Sequence, residues 1–246
     1  MKPAITLAVL FALAFCVGAE PAQSRVGYAY DKQGETLLYT EHHHELRGEG
    51  LVRKSRVLYK KENGAVFAEK TLDFTTDFFL PEFSLVNKQT GHNETTRYVD
   101  ENYQVSFIKS HESREKQKPL SYTSGAISDA GFDNFVTSHW DELTSGKEFT
   151  RDFLIPGLLR FFKFRIYQDS VVEEDGSRYR VLHIEPANFF LRKLAGTSRL
   201  YYEHDWPELK KFRGISNMRD ENGDNYKVTI IYEKSAFNMN ADNSVE

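Results

Sequence analysis

Cysteine is almost missing from this chain of 246 residues. The single one, Cys16, sits inside an apolar run near the N-terminus. If that run is removed, no thiol is left, which excludes disulfides, thiolate metal sites and cysteine nucleophiles. Long apolar stretches are scarce as well. The run over residues 5–17 is shorter than the roughly 20 residues needed to cross a bilayer, and no later segment of that length is free of charge, so the remainder is expected to be soluble. No charge of one sign dominates. There are 32 Lys and Arg against 36 Asp and Glu, and the basic residues are dispersed, which excludes a nucleic-acid footprint. Catalytic signatures are lacking too. There is no Gly-x-Ser-x-Gly elbow, and Ser124-Gly125 and Ser145-Gly146 read as turns.

What is present begins with the apolar run itself. Lys2 supplies a positive n-region, and Val17-Gly18-Ala19 puts small residues where a signal peptidase reads them. Residues 1–19 are therefore expected to be a leader cut between Ala19 and Glu20, delivering the protein to the periplasm. A lipobox wants a small residue before its cysteine, and Phe15 stands there, so lipidation is not expected. Residues 238–246 are polar and are expected to be a disordered tail. With no sequence repeat and no Pro/Gly/Ser linker, residues 20–237 read as a single β-rich domain.

Aromatic residues are abundant, with 19 Phe and 13 Tyr, and most of the chain alternates with period two, the strand signal. Alternating runs cover residues 26–30, 37–46, 56–60 and 66–74. Asn63-Gly64 between the last two is a strong hairpin signal. Shorter runs at 97–99 and 104–108 precede a charged stretch, residues 109–118, that reads as an exposed loop. Strands resume at 148–154, 160–172, 178–185, 200–204, 209–217 and 226–233. Residues 189–194 read as a short helix or a crossing loop. The expectation is a meander of about ten to eleven strands.

One segment breaks the pattern. Phe132, Phe135, Val136, Trp140 and Leu143 share one helical face, Ser128-Asp129 can start the helix, and Gly146 can end it. The predicted fold is mainly β: a curled, half-barrel-like antiparallel sheet packed on one amphipathic helix around residues 129–144. A sheet curled around a helix leaves room for a cavity between them.

Two stretches carry a resemblance. The first is Asp129-Ala-Gly-Phe-Asp-Asn-Phe-Val136, followed by His139-Trp140. The second is Phe212-Arg-Gly-Ile-Ser-Asn-Met-Arg-Asp220, followed by an Asn-Gly turn and a closing alternating strand. Together they resemble uncharacterised exported bacterial proteins whose layout is similar to the half-barrel of the outer-membrane lipoprotein carriers. The resemblance implies an incomplete barrel holding acyl chains in an apolar cavity. It transfers no motif residue by residue.

Candidate sites follow from these patterns. Phe132, Phe135 and Trp140 on the helix, with Phe162 and Phe164 on a strand, are the expected contacts for a lipid or acyl group. Arg160-Phe-Phe-Lys-Phe-Arg165 and Phe189-Phe-Leu-Arg-Lys-Leu194 mix cations with aromatics, as a surface for acyl chains and phosphate head groups would. In His42-His43-His44, a strand places His42 and His44 on one face, where two imidazoles can begin a metal site. The first expectation is a periplasmic binding or carrier protein, non-catalytic and without cofactor, for an apolar or amphipathic ligand. The alternatives are an envelope structural or assembly factor working through protein contacts, and a secreted metal-dependent hydrolase using His42 and His44.

Overall fold

The structure, a computed structural model, describes residues 23–234; the expected leader, with Cys16, and the expected disordered tail lie outside the described residues. Fourteen strands among the described residues form one antiparallel sheet. The first eight are β1 (Gln23–Asp31), β2 (Leu37–Gly48), β3 (Leu51–Lys60), β4 (Val66–Asp73), β5 (Glu82–Asn87), β6 (Asn93–Val99), β7 (Asn102–Ile108) and β8 (Lys116–Ser121). A helical segment follows: a 3-10 turn at Asp129–Gly131, then α1 (Phe132–Ser138) and α2 (Trp140–Thr144). The chain then returns to strands with β9 (Phe149–Ile155), β10 (Arg160–Glu174) and β11 (Ser177–Pro186). A short helix, α3 (Phe189–Ala195), precedes β12 (Ser198–Glu203), β13 (Leu209–Arg219) and β14 (Asn225–Lys234).

Strands consecutive in the chain pair with each other, except β8 and β9, and β1 pairs with β14. The two ends of the sheet are therefore β8 and β9, which the helical segment separates. Local chemistry sets the hairpins. Glu49-Gly50 and Asp175-Gly176 both place two consecutive residues at positive φ, the geometry that matches strand twist in two-residue turns. The sheet has more strands than the periodicity predicts because two of them carry weak signals. Strand β5 is six residues long and follows Pro81, while β8, Lys116-Gln-Lys-Pro-Leu-Ser, buries only Leu120. An edge strand with one apolar side chain reads as a loop.

The sheet curls so that its concave face holds the core. Phe132, Phe135, Val136 and Leu143 of the helical segment pack against Phe153, Ile166, Leu182 and Leu200 of the sheet. A second cluster, built on Tyr39, Val57, Tyr59, Leu85, Met218 and Ile230, fills another part of the same face. The ends do not meet edge to edge; they overlap. Phe153 belongs to the concave cluster, whereas its neighbour Leu154 points the other way and packs with Tyr103 and Val105 of β7 and Leu120 of β8. Phe161 of β10 joins that outer cluster. The β7–β8 end thus lies over the convex side of β9–β10, and the sheet is a spiral rather than a closed barrel.

The predicted helix forms but is interrupted at His139. The His139 ring stacks on Phe135 with centroids 4.4 Å apart, and its Nδ1 donates to the Phe135 carbonyl at 2.9 Å. That side chain takes an acceptor the helix ladder uses, and the backbone breaks there, at φ −120° and ψ 21°. Residues 189–194 resolve as helix. Asn188 caps α3 by accepting from the Phe190 and Leu191 amides, and Gly196 ends it at φ 73°.

Candidate functional site: a cavity on the concave face

Between the helical segment and the sheet lies a cavity of about 540 Å³. Phe132 enters from α1; Phe153, Phe164, Leu200, Leu209 and Phe212 form its apolar wall from β9, β10, β12 and β13. The opposite wall is charged, and strand parity explains why. Along β2, Tyr39, Glu41 and Glu45 are buried in alternation, so the odd-numbered residues face inward and bring His43 with them.

These inward groups form a network with α1. Arg25 Nη2 donates to Asp133 Oδ2 at 2.9 Å and lies 3.4 Å from Glu45 Oε1. Tyr202 donates to the other Asp133 oxygen at 2.8 Å, and Arg47 donates to Glu45 at 2.6 Å. Glu41 accepts from Tyr232 at 3.2 Å and from His43 Nε2 at 3.1 Å. Burial pushes the Glu45 carboxyl up, but the Arg25 and Arg47 guanidiniums outweigh it and hold the group below the ordinary carboxylate range. Asp133 behaves the same way, with burial opposed by Arg25 and the Tyr202 hydrogen bond. Both stay ionised at neutral pH. Burial, with Glu41 nearby, pushes the Tyr232 phenol well above its usual value, so it remains a neutral donor.

A second polar group borders the cavity. The buried Lys70 ammonium donates to Asp129 at 2.9 Å and lies 4.7 Å from the centre of the Phe83 ring. Asn217 donates to the same Asp129 oxygen at 3.3 Å. Arg219 donates to the Gly223 carbonyl at 2.7 Å. The Nε–H groups of Arg25 and Arg219 are buried and have no hydrogen-bond partner among the described residues. A cavity with an apolar wall and a charged one that includes Arg25, Lys70 and Arg219 is chemically matched to a molecule with an apolar body and a polar head.

The predicted site residues separate. Phe132 and Phe164 lie on the cavity wall, and the Phe164 ring sits 4.9 Å from Phe153. Phe135 is fully buried between His139, Phe79 and Phe149, away from the cavity. Trp140 packs on Tyr202 with the Arg180 guanidinium over it. Phe162 pairs with Phe153 across the strands and lies beneath Arg160, outside the cavity lining. His42 and His44 face the convex side, near Thr40 and Ser24 respectively. Among the described residues no group of three His, Cys, Asp or Glu side chains is placed to hold a metal ion. The middle histidine, His43, is the one that reaches the cavity. Arg25, Glu41, His43, Glu45 and Asp133 escaped the sequence reading, although the parity of Tyr39 pointed to three of them.

No family model and no curated protein matches this chain. Two solved structures are similar to it in layout. One is the crystal structure of a β-barrel-like protein of domain of unknown function DUF1849 from Brucella abortus. It has a TM-score of 0.47 at 10% identity, over 87% of this chain and 96% of that one. The other is a Vibrio parahaemolyticus domain assigned to outer membrane lipoprotein sorting, with a TM-score of 0.28 at 10% identity, over 87% of this chain and 82% of that one. The mainly β, curled-sheet architecture itself rests on the strand order and register described above.

Proposed function

We propose that this protein is a non-catalytic binding or carrier protein of the bacterial envelope, exported by residues 1–19, whose domain over residues 20–237 holds an apolar or amphipathic ligand such as a lipid or acyl group. The observation that carries the reading is the concave cavity. Its volume, about 540 Å³, falls in the ~300–1,000 Å³ range of small-molecule sites. Phe132 and Phe164 are the ligand contacts in this reading, and Arg25 and Arg219, which line the same cavity, bring positive charge to a head group. An assembly factor working by strand addition is less well supported. The exposed β8 edge carries Lys116, Lys118 and Pro119, the residue types that block edge-to-edge pairing.

The test is lipid mass spectrometry on untagged protein purified from periplasm, beside a Leu200→Trp variant. Leu200 is buried on the cavity wall, so the indole takes up ligand space. The expected result is lipid bound to the wild type and depleted in the variant, with circular dichroism unchanged. Wild-type protein that is free of lipid and takes none up from added fatty acid or phospholipid refutes the proposal.

A further inference from the structure

Three apolar side chains at the start of helix α3 are open to solvent. Phe189 is 58% exposed and Phe190 75%, and Leu191 is exposed beside them. Helices of soluble proteins ordinarily turn such residues inward. Polar contacts anchor the helix to the sheet. Arg192 Nε and Nη2 donate to the Pro186 and Ala187 carbonyls at 3.2 and 3.3 Å, and Nη1 lies 3.0 Å from the buried Glu185. Thr197, just beyond the C-terminal end of the helix, donates to Glu185 at 2.9 Å. One buried carboxylate thus holds the middle of the helix, through Arg192, and the segment just after it, through Thr197, while Phe189 and Phe190 point outward.

The surroundings are basic although the chain is acidic overall. Lys193 lies over the Phe189 ring, with Nζ 4.7 Å from its centre, and makes no ion pair among the described residues. Arg199, just past α3 at the start of β12, is exposed and likewise has no ion pair among them. Three acids of the neighbouring strands are already neutralised, Glu185 by Arg165 and Arg192, Glu148 by Arg165, and Asp152 by Lys163, while Asp169 lies 3.7 Å from His183, the cross-strand partner of Arg199. The helix also borders the cavity, because Pro186 before it and Gly196 after it both line the cavity wall.

From exposed aromatics, unpaired cations and position at the cavity rim, we infer that α3 is a docking element for an anionic lipid surface. The two Phe side chains enter the head-group layer while Lys193 and Arg199 meet lipid phosphates. Size argues for a membrane over a second copy of the chain. A stable protein interface needs about 800 Å² from each partner, and a few side chains of at most ~150–250 Å² each, already partly covered, fall short of that. Docking here would turn the rim of the cavity toward the bilayer. The inference stands apart from the cavity reading: lipid can occupy the cavity without surface docking, and the surface can dock with the cavity empty.

The test is flotation of the purified mature protein with vesicles of phosphatidylglycerol and phosphatidylethanolamine, and with vesicles of phosphatidylcholine alone. The wild type is expected to float with the anionic vesicles, less so at high salt, and to stay behind with the neutral ones. Phe189→Ser with Phe190→Ser removes the apolar contact and is expected to weaken binding about tenfold or more. Lys193→Glu with Arg199→Glu removes the charge contact and is expected to do the same on anionic vesicles. Both pairs are solvent-exposed, so an unchanged melting temperature serves as the folding control. Failure of the wild type to float, or equal flotation of either variant, overturns the inference. So does a wild-type dimer in sedimentation that the Phe pair dissociates, since the patch would then be covered by a second copy.

Discussion

The join between helix and sheet can be tested at one side chain. Asn134 is buried in α1, and its amide mimics a strand edge for β3. Its Oδ1 accepts from the Val52 amide at 2.9 Å, and its Nδ2 donates to the Val52 carbonyl at 3.0 Å and reaches the Phe78 carbonyl at 3.4 Å. Asn134→Leu keeps the size of the side chain and deletes all three contacts. Val52 is itself buried, so its N–H and C=O lose their partner away from water. Each such group costs about 1–3 kcal/mol when left unsatisfied. Added apolar burial by leucine offsets part of this, which leaves a net loss of about 3 kcal/mol. For a protein of this size that corresponds to a fall in Tm of about 6–12 °C. Urea unfolding followed by circular dichroism measures the loss directly. Ser138→Ala, exposed on the same helix, is the control and is expected to change stability by no more than about 0.5 kcal/mol. A loss under about 1 kcal/mol for Asn134→Leu would refute the idea that this amide pins the helical segment against the sheet.

Two further outcomes follow from the same packing. Gly131 tolerates no side chain, because a Cβ would lie 2.1 Å from the Phe79 carbonyl oxygen and 2.4 Å from its carbon. Gly131→Ala is therefore expected to destabilise by about 3 kcal/mol or more. Gly34→Ala, where nothing lies within 4 Å but φ is +82°, is expected to cost only about 1–2 kcal/mol of backbone strain. Comparable losses in a melting assay would show that the Phe79 contact is not the cause. Glu45 and Asp133 have folded pKa values below their unfolded ones, so the unfolded chain binds more protons. Their contribution is complete above the ordinary carboxylate range and is lost as pH falls through the folded pKa values. Tm is thus expected to drop on acidification below about pH 4.5, and Glu45→Gln is expected to flatten that drop while lowering Tm at neutral pH. An acid profile identical to wild type would remove Glu45 from the account.

Local chemistry alone carried much of this architecture. Period-two runs marked most strands, Asn63-Gly64 marked one of the turns between them, and the spacing of Phe132, Phe135, Val136 and Leu143 marked a face that is indeed buried. Those signals are short in range: which side of a strand or helix is apolar, and where the chain can reverse. The helix break at His139 was out of reach, because it depends on a side chain stacking on Phe135 and bonding its carbonyl. Strand β8 was hidden because an edge buries too little to alternate. The choice among five aromatic candidates was hidden too. Phe132, Phe135, Trp140, Phe162 and Phe164 are alike in sequence, and only packing sends Phe132 and Phe164 to the cavity and Phe135 into solid core. The histidine triplet makes the same point. Alternation separated His42 and His44 from His43, but only the direction in which the sheet curls put His43 beside Glu41 on the inner wall. Sequence by itself thus determined the elements and their two-faced character, since these depend on neighbours within a few residues. The tertiary structure decided the spiral overlap, the charged wall built from Arg25, Glu45 and Asp133, and the cavity itself. Each of those joins residues scores of positions apart, and no local pattern encodes which of them will meet.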